Sequence, residues 1–423
     1  MSTSEQQRLG YIDWLRGLAC LVMFEVHCYD SWLSPAARHS ALYGWSRFSG
    51  LLPGPLFLFL AGFSVALVTD KARRKGAPPN QIAAKTIRRG GEIFALALLF
   101  RLQEFALGWP WSPWTDLLRV DILNTIGLSI VLMGAVCWLA RRRSTNMILA
   151  VAASLGVALA TPPLWTTLRP RWLPWYIESY INGVHIYNKP QSWLFPLFPW
   201  TAFAFAGLAV GFVLFSDWSV KNPGITAAML GAAGVAIYKI SMLLDASPVH
   251  LYAVYDYWHT GPNYVFARIA ILLALTFLGY AWCRWGAGQW GFSPLIQMGQ
   301  TSLLVYWVHI EFVYGRFSIL KKGAQSVPTA SVGLLVIFVA MVLLSMARTR
   351  WKGQGARFFH GCGKRYARKP RPSEVSATIF AVAGCRSLLF PRREARSVSF
   401  RVSAMDEPPS YPEPRRCRTV AQS

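Results

Sequence analysis

Long apolar segments recur along the chain and are separated by shorter polar connections. They run for about 18–23 residues, the length of helix needed to cross roughly 30 Å of hydrocarbon. The third segment fits this pattern least well because it contains Glu92, Arg101 and Glu104. The pattern predicts an all-α integral membrane protein with about ten transmembrane helices. The predicted spans lie near residues 12–33, 51–69, 90–108, 119–140, 146–163, 193–215, 224–244, 264–284, 294–315 and 328–346.

Lysine and arginine residues are concentrated in alternate connections between the predicted spans, at 71–89, 141–143 and 348–352. Cytoplasmic loops of membrane proteins carry an excess of these residues. We therefore expect these connections, and both termini, on the cytoplasmic side. Arg316, Lys321 and Lys322 fall on the outer side and run against the trend.

The composition agrees with a membrane protein. Hydrophobic residues make up 54% of the chain and charged residues 15%, which is too apolar for a soluble enzyme of this length. The net charge of +24 could indicate nucleic-acid binding, but the basic residues lie in short loops and in the tail, and no groove-reading motif is present. Membrane lipid is therefore an expected partner, and nucleic acid is not.

Polarity divides the chain into a cytoplasmic N-terminus at 1–10, a transmembrane domain at 11–350 and a basic tail at 351–423. The tail is rich in proline, serine and arginine and is expected to be disordered. The 7 cysteines have neither metal-ligand spacing nor the density of a disulfide scaffold. We expect no metal site and no tightly bound cofactor.

The first predicted span carries several ionisable residues, which are costly inside a membrane and usually face a bundle interior. Arg16 and His27 are eleven residues apart, so they share one helix face about 16 Å apart along the axis. Asp13 and Asp30 each lie three residues from Arg16 and His27, within reach of those side chains. A histidine oriented by a carboxylate could act as general base toward a hydroxyl or amine, while Arg16 could hold an anionic donor. Alternatively, both pairs are structural.

The first span also resembles a known group of enzymes. Its Asp-x-x-Arg-Gly start at Asp13, with a histidine eleven residues after Arg16, is similar to the first helix of the acyltransferase 3 superfamily. Together with the sequences at 55–64 and 121–128, this opening looks more like the bacterial relatives of heparan-alpha-glucosaminide N-acetyltransferase and related YeiB-like membrane proteins. The likeness covers about residues 8–350.

The resemblance implies acetyl-CoA as a cytoplasmic donor, a glycan or amino sugar acceptor on the other side, and a catalytic histidine. The glucosaminide acetyltransferases place that histidine in the first outer loop, followed by an aspartate just before the second helix. Here His39 occupies the loop, but Gly54 precedes Pro55, and Asn124 stands where the family has a glutamine. The choice between His27 and His39 is therefore open.

Further charged residues in the spans could complete a site. Arg101 and Glu104 lie on the third span and Arg119 and Asp121 begin the fourth, so a short outer connection brings the two pairs together. They could position donor or acceptor, or they could satisfy one another as ion pairs between helices. His309 on the ninth span could likewise contact substrate, although a lone histidine there is more often a structural residue.

The outer segment 166–191 is rich in tryptophan, tyrosine, arginine and asparagine. It could line a sugar-binding site, or it could be an interfacial loop anchored by its aromatic residues. Taken together, the features predict a membrane acyltransferase acting on a glycan in a bacterial cell membrane. The alternative is a transporter or channel that uses the intramembrane charges as a relay, which broken helices would support, although none is evident in the sequence. An inactive relative that only binds lipid or glycan is a further possibility.

Overall fold

The computed structural model describes residues 3–168, 172–183, 195–248, 251–252, 256–257, 260–286 and 292–358. These residues form helices joined by turns, with one isolated bridge between Leu33 and Gln325 and no β-strand. The predicted all-α class is confirmed for this part of the chain. The expectation of a disordered tail concerns residues that lie almost wholly outside it.

Each of the ten predicted segments is helical over most of its length, although the ends differ by several residues. Two 3-10 turns, Ala37–His39 and Trp114–Leu118, precede the second and fifth helices. The helices are α1 (Thr3–Trp32), α2 (Ala41–Ser49), α3 (Pro53–Arg74), α4 (Pro79–Gly108), α5 (Ile122–Leu139), α6 (Arg143–Thr166), α7 (Trp175–Asn182), α8 (Leu197–Leu214), α9 (Asp217–Lys221), α10 (Pro223–Asp245), α11 (Pro262–Trp285), α12 (Pro294–Gln300), α13 (Ser302–Val313) and α14 (Val327–Phe358).

Seven helical stretches among the described residues are long and apolar enough to cross a membrane, judged by length and composition. They are typical of a multi-pass membrane protein. The charged helices α1 and α4 are not among them, and neither is the interrupted ninth segment. The number of about ten spans and the cytoplasmic location of both termini therefore stay predictions. The seven stretches are Ala41–Arg74, Trp114–Leu139, Arg143–Thr166, Leu197–Leu214, Pro223–Asp245, Pro262–Trp285 and Val327–Trp351.

The ninth predicted span is two helices and not one. Between α12 and α13, the backbone of Thr301 has non-helical dihedral angles, with φ −124° and ψ 24°. Its side chain is buried, and its hydroxyl donates a hydrogen bond of 2.6 Å to the hydroxyl of Ser345 on α14. The break is therefore a packed joint at which α14 supplies a polar partner.

Three short helices, α2, α7 and α9, were not predicted. In α2, the side chain of Ser40 accepts a hydrogen bond from the backbone N–H of Tyr43 and so caps the helix start. This helix exposes Leu42, Trp45 and Phe48, which recur every three residues along one face. Helix α7 lies within the segment 166–191. Helices of 9 and 8 residues are too short to give a clear periodic signal in the sequence.

Helices α3 and α8 pack with their backbones in contact. A Cβ atom added at Gly62 would overlap a carbonyl oxygen of α8, and one added at Gly207 would overlap the carbonyl oxygen of Phe59. One turn further along α8, Gly211 faces Ala66. Small residues four apart on facing helices permit this approach in membranes. This close packing of α3 on α8 fixes α3 in the bundle, and α3 in turn contacts α1.

The close packing of α3 on α8 predicts how a glycine substitution changes the stability of the protein. Gly207→Ala should lower the free energy of unfolding by about 1–3 kcal/mol, because the added methyl group has no room against α3. Gly156→Ala is the matched control, since nothing lies within 4 Å of a Cβ atom there. Alanine gains up to about 1 kcal/mol of helix propensity over glycine, so this control should be neutral or stabilising. Thermal unfolding of both variants in detergent measures the difference, and equal shifts would contradict the packing.

Helix α1 has neighbours from both ends of the sequence. It contacts α3 from the first half of the chain and α11 to α14 from the last third. Glycines again permit the closest approach, because a Cβ atom at Gly17 would overlap the carbonyl oxygen of Leu295, and one at Gly299 would overlap that of Asp13. The ionisable residues of α1 are therefore surrounded by several helices.

The predicted orientation can be tested by labelling. Asn80 is exposed at the start of α4, on the side assigned to the cytoplasm by its basic neighbours. In intact cells, Asn80→Cys should react with a membrane-impermeant thiol reagent no more than the parent protein does. Trp111→Cys, in the exposed connection after α4, should react readily. The reverse pattern would place the N-terminus outside.

Candidate active site

Two histidines from distant parts of the sequence meet between α1 and α13. Nδ1 of His27 lies 3.0 Å from Nε2 of His309. The ring centroids are 5.2 Å apart and the planes differ by 10°, which fits two imidazoles hydrogen-bonded edge to edge in nearly one plane. His309 is fully buried, whereas His27 is half-buried. His27 therefore has a hydrogen-bonding partner on a helix that the sequence did not link to it.

In the described part of the chain, His27 and Asp30 have hydrogen-bonding partners other than each other. The carboxylate of Asp30 accepts a hydrogen bond of 2.7 Å from the hydroxyl of Tyr314. The Tyr314 ring packs against the His27 ring at 67°, with the centroids 5.2 Å apart. Helix spacing brings Asp30 near His27, but tertiary packing supplies each side chain with a better-placed partner from α13 or its C-terminal end. A catalytic role for Asp30 stays a prediction.

His39 ends the 3-10 turn before α2, and its side chain is exposed. No side-chain hydrogen bond of His39 to another described residue is present. Gly54, which precedes Pro55, faces the rings of Phe195 and Trp200, each 2.9 Å from where a Cβ atom would lie. Aromatic rings therefore fill the space that the side chain of an aspartate would need at this position. Of the two candidate histidines, His27 is the one with an orienting partner.

Arg16 and Asp13 form the predicted ion pair on α1, with 3.0 Å between Nη1 and Oδ1. The guanidinium also donates a hydrogen bond of 2.6 Å to the hydroxyl of Ser64 on α3, which itself donates to the carbonyl oxygen of Leu60. Both charged side chains are partly exposed. The rigid α3 thus holds Arg16 in place while leaving part of its surface accessible.

The charged residues of α4 and α5 also meet. Arg101 and Asp121 form an ion pair of 2.7 Å, and Arg119 lies 3.9 Å from the same carboxylate. Asp121 and Asn124 form a capping box at the start of α5, and Asn124 donates a hydrogen bond of 3.2 Å to the hydroxyl of Tyr180 on α7. These contacts agree with the ion-pair interpretation, and a role in binding substrate stays a prediction.

The phenol of Tyr180 lies on α7, outside the membrane-spanning helices. Burial, together with the negative charge of Asp121, raises its pKa to about 12. Tyr180 therefore stays protonated at physiological pH. It accepts from Asn124 and keeps its own proton available for donation.

Glu104 lies beside Glu311 of α13, within hydrogen-bonding reach. One oxygen of Glu311 accepts a hydrogen bond of 2.6 Å from Gln103, and Gln103 accepts one of 3.0 Å from the Trp307 indole. His309 and Glu311 are two residues apart, so they point to nearly opposite sides of α13. The carboxyl pair is therefore separate from the histidine pair.

Helix α7 has its polar residues inside. Glu178, Ser179 and Asn182 are buried, whereas Tyr176 and Ile177 are about half-exposed. Asn182 donates a hydrogen bond of 2.9 Å to the carbonyl oxygen of Leu164. Its amide oxygen and one carboxylate oxygen of Glu178 are buried without a partner in the described part of the chain. The inner face of α7 therefore presents two unused hydrogen-bond acceptors.

Several site residues were not predicted from the sequence. Ser64 belongs to the motif at 55–64, but nothing in that motif linked it to Arg16. Tyr314 and Tyr306 have no periodic or charge signal, although both lie near histidines of the site. Both tyrosines lie within five residues of His309 in the sequence. This closeness to a histidine of the ninth span is the signal that could have indicated them.

Residues 8–243 match the family model described as "Heparan-alpha-glucosaminide N-acetyltransferase, catalytic". The matched region is more than half of the 423 residues. None of the curated proteins matches the chain. The match includes Arg16, His27 and Asp121 and extends almost to the end of α10, so that His309 and Tyr314 lie beyond it.

Proposed function

The chain belongs to the heparan-alpha-glucosaminide N-acetyltransferase catalytic family, and on this premise we propose that it moves an acetyl group from cytoplasmic acetyl-CoA to an acceptor outside. The acceptor is a hydroxyl or amine of a glycan or amino sugar, and the membrane is a bacterial cell membrane. The observation that carries the proposal is the pairing of His27 with His309. A half-buried imidazole with an orienting partner is suited to general-base catalysis.

The reaction needs one base and no redox partner. The acceptor oxygen or nitrogen attacks the thioester carbonyl carbon while His27 takes its proton. The carbon–sulfur bond then breaks, and its electron pair leaves with the sulfur of coenzyme A. The proton held by His27 passes to that thiolate, so the imidazole returns to its starting state.

Arg16 is the proposed contact for an anionic group of the donor. It lies about 16 Å from His27 along α1, toward the inner surface, and its fixed guanidinium is partly exposed. A long, extended thioester arm could therefore have its charged end near Arg16 while its reactive end approaches His27.

The inner face of α7 is the proposed acceptor side. Glu178 and Asn182 offer acceptor oxygens, which suit the hydroxyl and amino groups of a sugar. Trp175 of α7 packs edge-to-face on Trp114, with the centroids 5.9 Å apart, and aromatic faces commonly border sugar sites. The proposal keeps to the expectation that the segment 166–191, of which the structure describes 166–168 and 172–183, lines an acceptor site.

Purified protein incubated with labelled acetyl-CoA and a panel of amino sugars tests the activity. We expect labelled acetyl sugar and free coenzyme A in equal amounts. Absence of both transfer and acetyl-CoA binding would overturn the proposal.

A transporter or channel is the second candidate, because α12 and α13 form a broken helix of the kind that such proteins use at binding sites. In transporters, the ends at such breaks face a substrate or ion. Here the hydroxyl of the buried Thr301 is bonded to Ser345, which supports a packed joint. Sugar or proton flux in proteoliposomes without acetyl-CoA would favour this second candidate.

A further inference from the structure

The hydrogen bonds of His309 determine where its proton lies. Its Nδ1 is 3.1 Å from the carbonyl oxygen of Val305, and a carbonyl oxygen can only accept. Nδ1 must therefore donate. A second proton would place a charge on a fully buried ring inside a membrane bundle, which is costly. In the neutral ring, Nε2 of His309 then carries a lone pair and can only accept.

This arrangement determines the state of His27 in turn. Because Nε2 of His309 accepts, Nδ1 of His27 must be the donor across the 3.0 Å contact. The lone pair of His27 is then on Nε2. No hydrogen bond from a described residue occupies that nitrogen. It is consequently the basic atom of the His27 ring.

His309 is itself held in place by its neighbours. Its ring packs against Phe24 of α1 and Tyr306 of α13, at centroid distances of 4.8 and 5.8 Å. The bond to Val305 anchors the ring to its own helix one turn back. His309 therefore presents a fixed lone pair toward α1.

Histidine side chains without such a partner favour the tautomer with the proton on Nε2. That tautomer would place a proton where a general base needs its lone pair. By accepting a hydrogen bond from Nδ1, His309 selects the opposite tautomer of His27, with the lone pair on Nε2.

We propose that His309 is a positioning residue that fixes the tautomer and ring plane of His27, leaving Nε2 of His27 as the base. The proposal rests on the proposed acetyl transfer. It also assigns part of the site to α13, which lies beyond the family match at 8–243. The matched region is therefore incomplete as a catalytic unit.

Two variants of similar size test the role of the lone pair. In His309→Gln, the amide oxygen can accept from His27 and the amide nitrogen can donate to Val305. In His309→Leu, neither bond can form. We expect kcat to fall about 10–100-fold for His309→Leu, with the KM values for donor and acceptor changed less than about twofold. His309→Gln should recover most of the lost kcat.

A purely structural role predicts a different result. Both variants would then lose activity in proportion to their loss of thermal stability, and glutamine would offer no recovery. Equal kcat values for the two variants at equal stability would overturn the proposal.

The tautomer can also be measured without turnover. Nitrogen-15 spectra of histidine-labelled protein, with the His27 signals assigned by their absence in His27→Gln, should show a protonated Nδ1 and an unprotonated Nε2. In His309→Leu the proton should move largely to Nε2. A wild-type His27 protonated on Nε2 would refute the inference even if acetyl transfer is observed. The expected tautomer without acetyl transfer would refute the proposed function instead.

Discussion

His27→Ala should abolish acetyl transfer, lowering kcat by about 10²–10⁴-fold, because the acceptor loses the group that takes its proton. Acetyl-CoA binding should stay nearly unchanged, since Arg16 and its contacts with Asp13 and Ser64 are preserved. Transfer of labelled acetyl to the best acceptor of the panel, with donor binding measured separately, provides both quantities.

His39→Ala is the matched control for this experiment. The His39 side chain is exposed at the end of its 3-10 turn, so its removal should have little effect on stability. If His39→Ala eliminates turnover while His27→Ala keeps most of it, the base lies in the first outer loop, as in the glucosaminide acetyltransferases. The site on α1 would then be wrong.

Arg16→Ala should raise the KM for acetyl-CoA about 10–100-fold and change kcat much less. This is the effect of losing one hydrogen bond to a charged group, worth about 1.5–3 kcal/mol. Initial rates over a range of acetyl-CoA concentrations, at saturating acceptor, measure the two constants separately.

Arg88→Ala is a control for charge alone. Arg88 is also expected near the cytoplasmic surface, where it is largely exposed and pairs with Glu92. Its removal should not change the KM. An unchanged KM in Arg16→Ala, accompanied by a lower unfolding temperature, would show that Arg16 and Asp13 are a structural pair.

Helix positions were predicted well because apolar length is a local property of the sequence. All ten segments are helical for most of their length. The break at Thr301 was missed because it depends on Ser345, 44 residues away, and on the close approach of Gly299 to α1. No local pattern carries that information.

The site was predicted only in part, because the spacing of residues on one helix is local information, whereas most contacts in the site join distant parts of the sequence. Asp13 and Arg16 lie three residues apart on α1, and the predicted pair forms, with Ser64 of α3 as a further partner of Arg16. Asp30 and His27 have the same spacing, but each meets a residue 282 to 284 positions away. Helix spacing shows which side chains can meet, and tertiary neighbours decide which contacts form.

The wide separation of the two histidines in the sequence has a consequence for biosynthesis. During translation α1 is made long before α13 exists, so His27 has no imidazole partner while the intervening helices are made. On the proposed mechanism, the base is completed only when one of the last helices docks onto the first. A product that stops before Ser302 would therefore contain the whole family match and still lack the partner of His27. On the proposed mechanism, insertion into the membrane and acquisition of activity are therefore separate events.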